Sequence, residues 1–140
     1  MAQKFELDSD KKIYAYVRMA TGEDDKYIYA IRAKLEAALP ERIMDGSEML
    51  SQDQFAACMR CTERLEGMNF PLCTDEDSEE KLAAVYLAWI KLPRRLLRAW
   101  KSAPDTIDDK FNAADLLPPH MVDEATRKDP LPQSAAKSSA

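Results

Sequence analysis

The placement of glycine and proline constrains this chain more than any other feature. Three glycines occur, Gly22, Gly46 and Gly67, and none follows Gly67. Four of the eight prolines lie at or beyond Pro118. Backbone freedom is therefore concentrated in the first half, and helix-blocking residues accumulate at the end. Pro118-Pro119, Pro130 and Pro132 interrupt regular structure, and Gln133 to Ala140 offers almost nothing to bury. Residues 1–117 read as one domain and 118–140 as a flexible Pro/Ser/Ala-rich tail.

With 140 residues, 46% hydrophobic and 32% charged, the chain has enough apolar material for one core without staples. No apolar run approaches the roughly 18–20 residues a bilayer span needs. The first eight residues, Met1 to Asp8, lack the apolar stretch of a secretory signal. Cys58, Cys61 and Cys73 are odd in number, so they read as buried thiols of a reducing compartment. A cytoplasmic location is the expectation. The net charge of −5 argues against a general nucleic-acid binder, because phosphate contacts need a cationic surface.

Periodicity outlines the elements. Phe5 and Leu7 alternate with polar residues, Ser9-Asp10-Lys11 makes a turn, and Ile13, Ala15 and Val17 alternate again. This predicts an N-terminal β-hairpin, which must pack on something to persist in water. Asp24 or Asp25 is placed to cap a first helix carrying Ile28, Ile31 and Leu35, ended by Pro40. Glu41 to Leu50 fits neither pattern. Ser51-Gln52-Asp53-Gln54 has the form of a capping box and predicts a second helix, closed by Gly67 as a left-handed cap. The acidic run Thr74 to Glu80 announces a third helix with Leu82, Val85, Trp89 and Leu92. Pro93 breaks it, and a fourth helix with Leu96, Leu97 and Trp100 is predicted to end at Pro104. Asp105 then opens a last turn carrying Ile107 and Phe111. The fold class is mainly α, with four to five helices and a short N-terminal hairpin.

No constellation here carries catalysis, and no cofactor or metal is assigned. Cys58-Met59-Arg60-Cys61 has the spacing of a zinc or redox pair, but it lies inside a predicted helix rather than on a turn or at a helix start. Cys73 and His120 stand at unrelated spacings, so a structural role is preferred. His120, the single histidine, follows two prolines and lacks a shell to hold it as a general base. The runs Glu23-Asp24-Asp25 and Asp75-Glu76-Asp77 sit at helix starts, where capping and solvation account for them.

The most distinctive segment runs from Lys91 to Lys101. Lys91, Arg94, Arg95, Arg98 and Lys101 place five positive charges in eleven residues. On a helix, Arg94, Arg98 and Lys101 share one face and Leu97 and Trp100 another. The ordinary reading is a solvated face; the functional one is a surface for an acidic partner. Lys91, Arg94, Arg95, Arg98, Trp100 and Lys101 are the candidate partner-binding residues. Trp89 is expected in the core, while Trp100 is left open between core and interface. A membrane role is disfavoured by the short apolar face, and self-association is left open.

The order of features carries a resemblance. A strand pair precedes Ala20-Thr21-Gly22-Glu23-Asp24-Asp25 and a helix, followed by the central acidic stretch. Then come Val85-Tyr86-Leu87-Ala88-Trp89-Ile90-Lys91-Leu92-Pro93 and a second tryptophan, Trp100. This resembles the tail-assembly chaperones of long-tailed bacteriophages over residues 5–103. The Cys-x-x-Cys pair and the proline-rich tail have no counterpart in it. The resemblance implies a non-enzymatic protein that coats the long helical tape-measure protein and recruits tail-tube subunits in the host cytoplasm. It also implies a longer form made by translational frameshifting. A structural virion or connector component, and a small nucleic-acid-associated or inhibitory protein acting through residues 91–101, are the alternatives.

Overall fold

The computed structural model describes residues 2–42, 44–106 and 117–121. Two strands open the chain, β1 (Gln3–Asp8) and β2 (Ile13–Val17), paired antiparallel with Phe5 opposite Ala15. The turn between them is held by Asp8, whose Oδ1 accepts from the Asp10 and Lys11 amides at 3.0 and 3.2 Å. Ile13, Ala15 and Val17 face the core, and the hairpin stands as predicted.

A third strand extends the expected hairpin. β3 (Thr62–Glu66) pairs antiparallel with β2, giving the order β1-β2-β3. It forms an exposed edge bearing Glu63, Arg64 and Glu66, charges that discourage pairing with another chain.

Four α-helices follow the pattern with shifted ends. A 3₁₀ turn at Gly22–Asp24 leads into α1 (Asp25–Ala38), whose Ile31 and Leu35 are buried. Asp24 does not cap that helix; its carboxylate turns back onto the Thr21 amide and two arginines. α2 (Gly46–Cys61) begins five residues before the predicted capping box. Its actual cap is Asp45, which accepts from the Glu48 amide at 2.9 Å. The ambiguous stretch thus supplies the first turn, and Ser51 and Gln54 lie mid-helix. Gly67 does adopt positive φ, +83°, but it closes β3 and not a helix.

The acidic run divides in two. Thr74 to Asp77 makes a turn whose carbonyls at Asp75 and Asp77 accept from Lys34 Nζ at 2.6 and 2.9 Å. α3 (Glu79–Trp89) starts only after Ser78, whose hydroxyl accepts from the Lys81 amide. Pro93 separates it from α4 (Arg94–Thr106), and that helix runs through Pro104 rather than ending there. The predicted turn at Ile107 and Phe111, and the tail apart from Leu117–Met121, lie outside the described residues. Within the latter, Pro119–Met121 makes a short 3₁₀ turn. Residues 1–107 form one compact unit.

α1 packs against α2 and α3, while α4 lies across β1 and touches α2. Aromatic edges join these layers. Phe55 meets Tyr86 and Trp89 at centroid distances of 5.2 and 5.4 Å, and Trp89 meets Trp100 at 6.3 Å. Both tryptophans are fully buried, so Trp100 belongs to the core with Trp89.

Candidate functional site

Four of the five cations of the basic segment are exposed. Arg94 and Arg98 are exposed on α4, and Lys91 is exposed in the connection before it. Arg95, also exposed, reaches the hairpin turn, with Nη2 at 3.2 Å from Asp8 Oδ2 and 3.9 Å from Asp10. Lys101 lies half-buried with its ammonium 5.5 Å from the Trp89 ring centroid. Trp100 contributes no surface, and its indole N–H donates to Thr62 Oγ1 at 2.9 Å. The six candidate residues therefore separate into four exposed cations, one of which, Arg95, also pairs with Asp8, one half-buried lysine and one core side chain.

A stronger polar constellation lies elsewhere. Arg18, at the end of β2, forks onto Asp24, with Nη2 to Oδ1 at 2.7 Å and Nη1 to Oδ2 at 3.0 Å. Arg60, in the last turn of α2, adds an Nε donation to Oδ1 at 2.9 Å. The Thr21 amide donates to Oδ2 at 2.9 Å. Arg18 above all, then the Thr21 amide and Arg60, hold the Asp24 carboxyl well below the usual carboxylate range, against the opposing effect of burial. The Tyr27 ring lies 3.7 Å from the Arg60 guanidinium carbon. Together with Lys26 and Glu23 these residues line a polar cleft of about 650 Å³. Arg18 and Asp24 are local in sequence, but Arg60 arrives from another helix, so no spacing signal reveals the trio.

A second cleft, about 490 Å³, runs between α1 and α2 and is also lined by Lys101 and Asp105 of α4. Ile28, Tyr29 and Ala57 give it apolar walls, and Arg32 spans it to Asp53 at 3.1 Å. Tyr29 is 65% exposed, and Leu50, one turn before Asp53 and Gln54 on α2, is 58% exposed. Both residues fall off the core stripes of their helices. That position is the sequence signal for them, and it becomes readable only once the start of α2 is known.

The cysteines are free and buried. Cys58 is pushed far above the ordinary thiol range by burial, and burial likewise raises Cys61 to about 11 and Cys73 to about 12. Among the described residues, no three histidine, cysteine or carboxylate side chains are grouped to hold a metal ion. No described helix is long and apolar enough to cross a membrane.

No family model matches the chain, and neither a curated protein nor a solved structure matches it.

Proposed function

We propose that the chain is a non-enzymatic protein-interaction domain acting as a phage tail-assembly chaperone. In this reading it binds a long helical tape-measure protein and helps recruit tail-tube subunits. The observation that carries it is the α1–α2 cleft, with Tyr29 exposed in its lining and Leu50 exposed one turn before Asp53 and Gln54 on α2. Large apolar side chains left in water beside a groove fit a helical client, whose anchors recur every three or four residues. The resemblance over residues 5–103 supplies the client. Lys91, Arg94, Arg95 and Arg98, all exposed, are basic contacts available to that partner.

Co-expression with the tape-measure protein from the same genome tests this. The wild-type chain keeps the client soluble and copurifies with it, whereas the Tyr29→Ser, Leu50→Ser double variant loses the client while retaining its circular dichroism. Purified particles lack the protein. Its presence there at fixed copy number replaces the chaperone reading with a structural virion component. Salt-sensitive binding to nucleic acid that disappears with Arg94→Glu and Arg98→Glu replaces it with a nucleic-acid role.

A further inference from the structure

The Arg18–Asp24–Arg60 cleft shares no lining residue with the α1–α2 cleft, and the tape-measure reading makes no use of it. In the lining, Arg18, Lys26 and Arg60 face Glu23 and Asp24, and Glu63 of β3 lies close enough to act on Arg18. The Asp24 side chain is 3% exposed, whereas those of Arg18 and Arg60 are 27% and 33% exposed. The carboxylate is thus enclosed while both arginine side chains reach solvent.

The two arginines are used differently. Arg18 commits both terminal nitrogens, Nη1 to Asp24 and the Met19 carbonyl and Nη2 to Asp24. Arg60 commits only Nε, and among the described residues its two terminal nitrogens have no hydrogen-bond partner. Its plane is fixed from two sides, by the Nε bond to Asp24 and by the Tyr27 ring. A guanidinium held in this way presents a rigid two-pronged donor, so little rotamer entropy is lost when a planar oxyanion docks end-on.

We infer that this cleft binds a carboxylate side chain of an acidic peptide segment, held by the terminal nitrogens of Arg60 with Lys26 beside it. A planar carboxylate matches the two-pronged donor that Arg60 presents. A phosphate, carrying nearly two charges, is less favoured, because Glu23 in the lining and the neighbouring Glu63 oppose the second charge. Asp24 is a positioning residue here: it orients Arg60 and does not touch the ligand.

The test uses the full chain, labelled with nitrogen-15, and a short peptide with one glutamate in a glycine–serine background. Adding it shifts the Arg60 Nε–Hε resonance, and its glutamine counterpart leaves that resonance in place. Arg60→Lys, which keeps a cation beside Asp24 but loses the fork, weakens the glutamate peptide about tenfold. Lys26→Gln, at an exposed position, weakens it severalfold with an unchanged amide spectrum. Equal shifts from both peptides, no shift from either, or unaltered affinity in a folded Arg60→Lys variant overturns the proposal. So does inorganic phosphate, if it shifts Arg60 more at equal concentration, because the cleft is then a phosphate site. None of these outcomes depends on whether the tape-measure protein is a client.

Discussion

The Cys58 thiol donates to the Trp100 carbonyl at 3.5 Å, and that carbonyl is the one Pro104, four residues on, cannot serve. Proline lacks the amide that closes the i to i−4 bond, which ordinarily makes it costly inside a helix. Here the helix continues to Thr106, and the Cys58 thiol of a neighbouring helix donates to that oxygen. Pro104 is buried in the core and its own carbonyl accepts from the Ala20 amide at 3.1 Å, so the kink-prone turn is held on both sides. Pro104 therefore does not stop α4, and one member of the Cys-x-x-Cys pair has a structural task.

This relationship predicts coupling. Cys58→Ala should destabilise by about 1–2 kcal/mol, through the lost hydrogen bond and the small cavity left behind. In a Pro104→Ala background the new amide serves Trp100, and the same cysteine substitution should cost measurably less. A double-mutant cycle by urea denaturation reads the difference directly. Additive effects would show that the thiol fills space and nothing more.

Asp24 gives a prediction about acid. Its native pKa is lowered by Arg18, the Thr21 amide and Arg60, so the folded protein binds the proton more weakly than the unfolded chain does. The stability contributed is fully present above the unfolded carboxylate value of about 4, and it is lost as pH falls toward the lowered native value. Stability should therefore decline below about pH 5, with Asp8 and Asp77, also lowered, adding to the same slope. Asp24→Asn should flatten that acid limb. At pH 7, Asp24→Ala should cost about 2–3 kcal/mol, because it leaves two guanidinium groups facing each other, softened by their access to water. Chemical denaturation of both variants from pH 3 to pH 8 checks the sign and the slope.

How much of this was legible depends on how local each signal is. The hairpin and the α1 stripe of Ile31 and Leu35 follow from alternation and helical spacing within a dozen residues, and both stand. Helix starts were harder, since Ser51-Gln52-Asp53-Gln54 has capping chemistry yet Asp45 caps the Glu48 amide a turn and a half earlier. The same grammar of short polar side chains fits both places, and tertiary packing of α2 on α1 decides. β3 escaped because Thr62-Glu63-Arg64-Leu65-Glu66 follows α2 without a break and carries three charges, a weak strand signal. It is a strand because β2 offers it a free edge. The Arg18–Asp24–Arg60 trio escaped for the same reason: its partners meet only when β2, the turn and α2 are assembled. The burial of Trp100 likewise waited on knowing that Thr62 stands ready to accept its indole N–H.

Gly67 is where a single methyl group should do most damage. Its φ of +83° lies in the left-handed region, and a Cβ there would run into the Lys12 backbone carbonyl. Lys12 itself has φ of +55° in the hairpin turn, so neither side can yield cheaply. Gly67→Ala should lower stability by about 2 kcal/mol or more, combining the dihedral cost with displacement of the β1–β2 turn. Gly22→Ala is the control, since a Cβ there meets nothing within 4 Å and φ is not positive. It should change stability by under about 1 kcal/mol. Thermal unfolding of the two variants side by side separates the positions.

The cysteines offer the last prediction, and it bears on the Cys-x-x-Cys spacing. Thiolate is the reactive species, and burial raises Cys61 to about 11, Cys73 to about 12 and Cys58 further still. At pH 8 only a small fraction of any of them is ionised, and all three side chains are shielded from reagents. Alkylation of the native protein at pH 8 should therefore be far slower than that of a free thiol. In denaturant, three equivalents should react at the free-thiol rate. Zinc at equimolar concentration should leave the melting temperature unchanged, because Cys58 points into the α2–α4 contact and bonds the Trp100 carbonyl there. Rapid native alkylation of Cys58 and Cys61, or a zinc-induced rise in melting temperature, would show that the last turn of α2 opens to solvent. The pair would then regain the chemistry its spacing implies.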